Sequence, residues 1–291
     1  MITLTHQNWT LEVQPELGAS LNRLSWRDHQ ILRPETASAN SPLETGSFPL
    51  LPYANRIANG AFAFNDRQIV LPPTLGFEPH ALHGLGWQRP WSVLRYGDAF
   101  VELGLASQAC PDWPWDWSAS HRLELGVDLA ISLSITNESR GPMPAGLGLH
   151  PYFMTVPGTI LTVPADEVWT TDGSLIPDRL SPPEEVFDWR QGAKVAGAPF
   201  VDNAYCSWSG QARLDHPDHT VKVAASSKAR WVHIYAPGSG GFVCIEPVTH
   251  RPNAHNAPPG EDSGLVILNP GQTLSMSMQI SVAVRNPSGE V

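Results

Sequence analysis

Glu246 is the residue whose surroundings are hardest to explain without chemistry. It directly follows four apolar residues, 242–245, in the stretch Phe-Val-Cys-Ile-Glu-Pro. Most single glutamates are solvated surface groups. An unpaired carboxylate in apolar surroundings is costly, so Glu246 must be paired, protonated or placed at a strand end that faces a cleft. We therefore treat Glu246 as a candidate general acid or base.

Four other polar residues stand in apolar or turn-rich stretches. Arg56 follows the segment 50–53, His83 lies in a glycine-containing loop, His150 ends a glycine-rich approach, and Asp202 follows a proline turn. Histidine titrates close to neutral pH, and arginine and aspartate hold polar groups by charge-assisted hydrogen bonds. A lone residue of any of these types is more often structural than functional, so their joint placement is what has to be tested.

Motifs for metals, nucleotides and redox cofactors are missing from the sequence. There is no GxGxxG, GxxxxGK[ST], HExxH or CxxC pattern. The pairs His80/His83 and His250/His255 have a spacing that suits metal ligands, but no local carboxylate or thiol completes either pair. The glycine-rich segment 238–241 is typical of a turn, because no helix follows it to form a phosphate cradle. We expect neither a metal nor a cofactor.

Alternating apolar and polar residues predict the elements that must position these side chains. Residues 123–136 alternate strictly, with the period of two that a strand with one buried face shows. Fourteen residues exceed a common strand, so a hairpin turn is expected near Gly126. The same alternation recurs at 9–13 and at 274–284, and Asn65-Asp66 predicts another hairpin.

Helical periodicity is nearly absent, and proline- and glycine-rich turns separate the short strands. These features predict an all-β protein, built as a large antiparallel β-sandwich or barrel. No shift in composition marks a linker, so residues 1–291 are expected to form a single domain.

Charge and cysteine content limit the partners. The 28 acidic and 18 basic residues give a net charge of −10, which argues against binding nucleic acid or an anionic membrane. The apolar runs are too short for a membrane helix, and no signal peptide is visible. Three widely spaced cysteines suggest reduced thiols, so we expect a cytoplasmic protein.

An ordered series of five motifs resembles the aldose 1-epimerase (galactose mutarotase) family. The series consists of Asn55-Arg56-Ile57, Leu82-His83-Gly84, His150-Pro151-Tyr152-Phe153, Asp202 with Tyr205, and Glu246 followed by the segment 252–256. Each motif is weak alone, but all five occur in the order of the family and span most of the chain.

The resemblance implies a large antiparallel β-sandwich with an open cleft across one sheet. It also implies that His150 is the general acid, that Glu246 is the general base, and that Arg56, His83 and Asp202 hold sugar hydroxyls. The reaction would interconvert the anomers of a small monosaccharide without a cofactor, in a monomer or homodimer. Contact between the two groups would raise the pKa of His150, because a carboxylate favours the charged imidazole.

The sequence departs from the family in ways that affect the substrate. The chain is short, and residues 110–117 replace a longer glycine-rich loop. This points to an aldose other than galactose, such as a pentose, a deoxy sugar or an acidic sugar. We expect an aromatic wall for the apolar sugar face, with at least one of four tryptophans at the cleft: Trp87, Trp113, Trp115 and Trp117.

Two alternative functions stay open. The first is a hexose-6-phosphate 1-epimerase, which would need basic residues for the phosphate. The second is a non-catalytic carbohydrate-binding or sensing protein on the same fold, against which the presence of both His150 and Glu246 argues.

Overall fold

Strands follow the alternating segments along most of the chain in the computed structural model, which describes residues 1–36 and 39–285. The described residues form 27 strands and five 3-10 helices, the latter at Pro42–Glu44, Ala58–Gly60, Gly86–Gln88, Pro183–Glu185 and Ala254–Asn256. The strands are β1 (Ile2–His6), β2 (Trp9–Gln14), β3 (Ser20–Trp26), β4 (His29–Leu32), β5 (Pro49–Leu50), β6 (Arg56–Ile57), β7 (Ala61–Phe64), β8 (Arg67–Val70), β9 (Ala81–Leu82), β10 (Ser92–Tyr96), β11 (Phe100–Ser107), β12 (Trp117–Leu125), β13 (Leu129–Asn137), β14 (Met143–Ala145), β15 (Gly148–Leu149), β16 (Tyr152–Met154), β17 (Ile160–Thr162), β18 (Ala165–Thr171), β19 (Pro177–Ser181), β20 (Ala193–Lys194), β21 (Val201–Trp208), β22 (Gln211–Asp215), β23 (His219–Ala225), β24 (Trp231–Ala236), β25 (Phe242–Val248), β26 (Val266–Leu268) and β27 (Thr273–Val284).

Two large antiparallel sheets organise these strands. The first has 12 strands in the order β1-β2-β3-β4-β16-β25-β24-β21-β18-β19, with β15 and β5 attached beside β25. The second has nine strands in the order β10-β11-β12-β13-β27-β23-β22-β17-β20. Three two-stranded sheets, β14-β26, β6-β9 and β7-β8, complete the fold. The prediction of an all-β antiparallel sandwich is confirmed.

The inward faces of the two large sheets share one apolar core. Leu11 and Leu24 from the first sheet and Leu123, Ile131 and Met278 from the second are buried in the same cluster. This is the expected result of alternation, because every second side chain of a strand points to the same face. The sandwich therefore forms from the residues that the period of two had marked as buried.

Both predicted hairpins are present. β12 and β13 pair from Trp117↔Asn137 to Leu125↔Leu129, which places their turn at residues 126–128. β7 and β8 are joined by Asn65 and Asp66, with φ values of 48° and 56°. Asparagine and aspartate tolerate this left-handed backbone, and it matches the twist of a tight hairpin.

The centre of the 12-stranded sheet contains the strands that hold or adjoin the predicted site residues His150, Asp202 and Glu246. β16, β25, β24 and β21 are consecutive neighbours there. Gly148 of β15 pairs with both Leu50 and Val248, so the segment before His150 is fixed between two distant parts of the chain. Among the described residues, no helix has the length and apolar character needed to cross a membrane.

Candidate active site

Adjacent strands bring the predicted site residues together. Glu246 on β25 lies opposite His233 on β24, and Asp202 on β21 lies opposite Tyr235 on β24. His150 stands between β15 and β16, where its backbone N–H donates to the carbonyl of Phe48 at 3.0 Å. Neighbouring strands place their side chains a few ångströms apart on one face. His150 and Glu246, which are 96 positions apart in the sequence, thus meet at one place.

His150 and Glu246 are in direct contact. His150 Nε2 lies 3.3 Å from Glu246 Oε1, and their side chains are only 9% and 2% exposed. A histidine and a glutamate at this distance can pass a proton between them or present an acid and a base side by side. Glu246 is therefore paired, which is one of the states that its apolar surroundings require.

Burial governs the protonation of this pair. It raises the pKa of Glu246 well above its ordinary value of 4.5, and the nearby Asp202 charge raises it further while Arg56 opposes the rise. Burial also lowers the pKa of His150 to about 3, with the charge of Arg33 acting in the same direction. The expectation that Glu246 raises the pKa of His150 is wrong, because a buried glutamate that keeps its proton offers the imidazole no negative charge.

Asp202 is held by two cationic or hydrogen-bonding partners. His233 Nε2 lies 2.6 Å from Asp202 Oδ1, and Arg56 Nη2 lies 3.4 Å from Asp202 Oδ2. Burial alone would raise the pKa of Asp202, but the hydrogen bond from His233 and the charge of Arg56 lower it. Asp202 is thus an ionised carboxylate at the floor of the site.

Asn55 connects Arg56 to His233. Its side-chain oxygen accepts from the Arg56 backbone N–H at 2.8 Å, and its amide nitrogen lies 3.4 Å from His233 Nδ1. An amide nitrogen can only donate, so His233 Nδ1 accepts and the His233 Nε2 proton points to Asp202. Asn55, Arg56, Asp202 and His233 therefore form one closed polar network.

His83 is fixed as a neutral donor. The Asn55 backbone N–H donates to His83 Nδ1 at 3.0 Å, which leaves the proton on Nε2. Burial lowers the pKa of His83 well below its ordinary value, and the charge of Arg56 lowers it further. His83 has a φ of +60°, and the glycine after it, Gly84, has a φ of +67°.

All five predicted site residues line one cleft of about 290 Å³. They share it with two residues of the polar network that the sequence analysis missed, Asn55 and His233. His233 could have been found by the signal that marked Glu246, since it is a polar residue inside the apolar strand Trp231–Ala236. Asn55 belongs to a motif that was recognised, but only its neighbour Arg56 was assigned a role.

The expectation that at least one of four tryptophans lies at the cleft is wrong. No tryptophan is among the described residues that line the cleft. The aromatic lining consists of Phe77, Tyr152, Tyr235 and Phe242. Trp87 lies one layer behind, stacked on Phe48 with ring centres 5.6 Å apart. Trp113, Trp115 and Trp117 are buried in the sandwich core. These large apolar rings gain more from full burial than from bordering a wet cleft.

Possible metal ligands cluster at two places among the described residues. His150, Cys244 and Glu246 have ligand atoms within 4.8 Å of one another, and His29, Asp218 and His219 form a second group outside the cleft lining. In the first group, burial raises the pKa of the Cys244 thiol well above its ordinary value, which disfavours the thiolate that binds metals. The pairs His80/His83 and His250/His255 were considered as metal ligands from their spacing. In the structure, His80 Nδ1 and His250 Nε2 accept hydrogen bonds from backbone N–H groups.

The sequence and the fold have counterparts among known proteins. YphB of Escherichia coli K12, a protein described as uncharacterized, is 28% identical over 293 residues, covering 96% of this chain and 98% of YphB. The aldose 1-epimerase of the same organism is 28% identical over 198 residues, covering 63% of this chain and 55% of that protein. A crystal structure from E. coli K12, provisionally described as an aldose 1-epimerase, superposes with a TM-score of 0.87 at 27% identity, covering 97% of this chain and 98% of that one.

A family model agrees with these individual likenesses. The model for aldose 1-epimerases matches residues 1–281. The likenesses support a function of the sugar-epimerase type, with a sugar as the substrate. Because the match takes in nearly the whole chain and all five of the residues gathered in the cleft, the protein belongs to the aldose 1-epimerase family.

Proposed function

We propose that the protein is an aldose 1-epimerase that interconverts the α and β anomers of a free aldose. The observation that carries the proposal is the contact of 3.3 Å between His150 and Glu246 inside a cleft of polar and aromatic residues. This contact offers a proton donor and a proton acceptor at one point, which is what ring opening requires.

The reaction moves two protons and breaks one bond. Glu246 removes the proton of the anomeric hydroxyl, the carbon–oxygen double bond of the aldehyde forms, and the bond from C1 to the ring oxygen breaks. His150 gives its proton to the ring oxygen. The aldehyde then rotates about the C1–C2 bond, and the reverse transfers close the ring on its other face. Both oxygens are bonded to C1, so two adjacent groups can reach them together.

The pair must hold one proton in total. Burial places that proton on Glu246 in the free protein, whereas the proposed roles need it on His150. Moving the proton across the contact does not change the total charge. The hydroxyls of a bound sugar supply hydrogen bonds to the ionised carboxylate, which lowers the free energy of the charged form.

The remaining groups suit a polyhydroxylated ring. Asp202 accepts hydrogen bonds, while Arg56 and the Nε2 proton of His83 donate them. Phe77 and Phe242, which are partly exposed, provide apolar surface for the carbon-bound hydrogens of one sugar face. We assign Arg56, His83 and Asp202 to substrate binding on these grounds.

The test of the proposed roles is the mutarotation rate of two conservative variants. Glu246→Gln keeps the shape but removes the base, and His150→Asn removes the acid. Each should lower kcat by at least about 10²-fold, because acid–base groups typically contribute that much. KM should change little. The rate is followed by polarimetry on freshly dissolved aldoses, with spontaneous mutarotation subtracted.

Matched controls separate chemistry from folding. Glu124→Gln removes an exposed carboxylate on the nine-stranded sheet and should leave the rate and the melting temperature unchanged. Arg56→Ala and His83→Ala should raise KM as well as lower the rate. Turnover near the wild-type level in a folded Glu246→Gln variant would refute the role of Glu246. Tight sugar binding by the wild type without any turnover would instead favour a binding protein.

We further propose a cytoplasmic location and a single domain over residues 1–291. Cys110, Cys206 and Cys244 are free thiols, which supports a reducing compartment. Residues 37–38 and 286–291 of that proposed domain lie outside the described residues. The monomer or homodimer expected from the family resemblance stays a prediction, and size-exclusion chromatography with light scattering tests it.

A further inference from the structure

Arg33 brings a positive charge to the cleft that no carboxylate of the described residues neutralises. It lines the same cleft as His150 and Glu246. The other arginine of the lining, Arg56, is paired with Asp202. Within residues 1–36 and 39–285, Arg33 has no carboxylate oxygen within 4.0 Å, although most of the arginines there do.

The guanidinium is held rigidly in place. Arg33 Nε donates to the Thr45 carbonyl at 3.2 Å, and Nη2 donates to the carbonyls of Leu43 and Thr45 at 2.5 and 2.8 Å. The guanidinium carbon lies 3.8 Å from the ring centre of Tyr152 and 5.1 Å from that of Phe242. None of these hydrogen bonds uses Nη1. Because the side chain is already ordered, binding a ligand there loses little conformational entropy.

The ring of Tyr152 connects Arg33 to His150, the acid of the proposed reaction. The rings of His150 and Tyr152 are stacked with centres 4.7 Å apart, and Arg33 covers the Tyr152 ring. Its charge reaches His150, where it adds to the larger effect of burial in lowering the pKa. A sugar whose anomeric carbon contacts His150 and Glu246 can therefore direct a substituent from elsewhere on its ring toward Arg33.

The charges of the cleft add up to one unbalanced cation. His150 and Glu246 are neutral as a pair when they share one proton. The positive Arg56 balances the negative Asp202, and His233 is neutral because its Nδ1 accepts from Asn55. Only Arg33 is left. A guanidinium that lacks a protein carboxylate is a site for a carboxylate or phosphate of the ligand.

We propose that the substrate is an acidic aldose whose anionic substituent binds Arg33. The inference rests on the proposed function and narrows it from free aldoses in general to those with a negatively charged group. A single unbalanced charge fits a carboxylate, as in a uronic acid, and a phosphate ester shares the same recognition chemistry.

The experiment compares sugars that differ only at C6. Mutarotation rates are measured for galactose against galacturonate, and for glucose against glucuronate and glucose 6-phosphate. The wild type should show a kcat/KM at least tenfold higher for an acid than for its neutral partner. Arg33→Gln should reduce that ratio at least tenfold, mainly through KM, and Arg33→Lys should give an intermediate value. Arg23→Gln, which removes an exposed charge on the same sheet, should leave the ratio unchanged.

Each outcome decides the proposal. Equal kcat/KM for acidic and neutral sugars in the wild type, or equal losses for both in Arg33→Gln, would show that Arg33 only braces Tyr152 and the 43–45 turn, and would overturn the inference. A preference for glucose 6-phosphate over glucuronate that Arg33→Gln removes would support the inference with phosphate as the anion.

A binding measurement keeps this inference separate from the proposed function. If no aldose is turned over, the proposed function fails, and calorimetric titration of glucuronate into the wild type and Arg33→Gln then tests Arg33 alone. Glucuronate binding that is at least tenfold weaker in Arg33→Gln than in the wild type supports the acidic ligand. Equal binding by the two proteins, or no detectable binding by the wild type, overturns the inference.

Discussion

In the proposed reaction, the proton shared by His150 and Glu246 is the feature of single residues that most directly controls activity. Burial disfavours the carboxylate and so raises the pKa of Glu246 well above its ordinary value of 4.5. His150 gains a proton only near its lowered pKa of about 3. The form with one proton on the pair therefore persists over a wide range of pH.

This range predicts an unusual pH profile. We expect kcat/KM, which reports the free protein, to stay level through pH 4.5 and 6.5, the ordinary pKa values of the two side chains. Activity should fall on the acid side when His150 and Glu246 both carry protons, and on the alkaline side when neither does. Initial polarimetric rates over pH check this. A limb centred near pH 6.5 that disappears in His150→Asn would contradict it.

The same residues show how far sequence reasoning reaches. Glu246 was predicted from its apolar neighbours, and the family motifs supplied its four companions in the cleft. Arg33 was not predicted, because arginine in a polar segment is ordinarily a surface group. It becomes part of the cleft only because Tyr152 and Phe242 form a surface on which it stacks. That surface depends on strands far from Arg33 in the sequence.

Among the elements, the short loop around Gly84 has little room for change. A Cβ added to Gly84 would lie 2.3 Å from the Leu51 carbonyl oxygen, and its φ of +67° is unfavourable for other residues. Leu51 and Gly84 form a parallel bridge there, directly after His83. The close approach of the two backbones fixes the position of the His83 ring.

Gly84→Ala should therefore damage both stability and binding. We expect it to lower the free energy of unfolding by about 2 kcal/mol more than Gly76→Ala does, because it adds steric overlap to the backbone strain. Gly76 has a φ of +85° but nothing within 4 Å of an added Cβ, so it isolates the strain. Urea denaturation and sugar KM values test this. Equal losses in the two variants would show that the loop adapts.

Local alternation and turn residues predicted the strands and hairpins, but not their long-range order. The neighbours of β25, for example, are β16 and β24, and the first of these is almost 90 positions away. Such pairing follows from packing of the whole core, which no local pattern contains. The segment 110–117 shows the same limit, since Cys110 and Trp113 form a tight bridge there that no local pattern predicted.

For the whole molecule, buried histidines set the response to acid. His121 on β12 is fully buried in the sandwich, where neither ring nitrogen has a hydrogen-bond partner in the described part of the chain. Burial lowers its pKa from 6.5 to about 4. The folded protein thus binds fewer protons than the unfolded chain between these values, so stability is complete above pH 6.5 and falls as pH drops toward 4.

Replacing this histidine should reduce the acid sensitivity. The depressed pKa of His121 corresponds to a loss of up to about 3 kcal/mol across that window. We expect His121→Leu to melt at a temperature that changes less between neutral pH and pH 4 than that of the wild type. Thermal melts over pH, with His6→Leu on the edge strand β1 as the control, measure this. Parallel curves for wild type and His121→Leu would contradict it.

The closed network from Asn55 to His233, with Glu246 beside it, also bears on the order of events during synthesis. Asn55 and Arg56 leave the ribosome early, yet their partners follow after nearly 150 further residues for Asp202 and nearly 180 for His233. Contacts with such sequence separation form late, because the intervening chain must first be ordered. A nascent chain that ends before β25 would hold Arg56, which is proposed to bind the sugar, without the proposed base Glu246. The cleft becomes competent only when the last quarter of the protein joins the sheet.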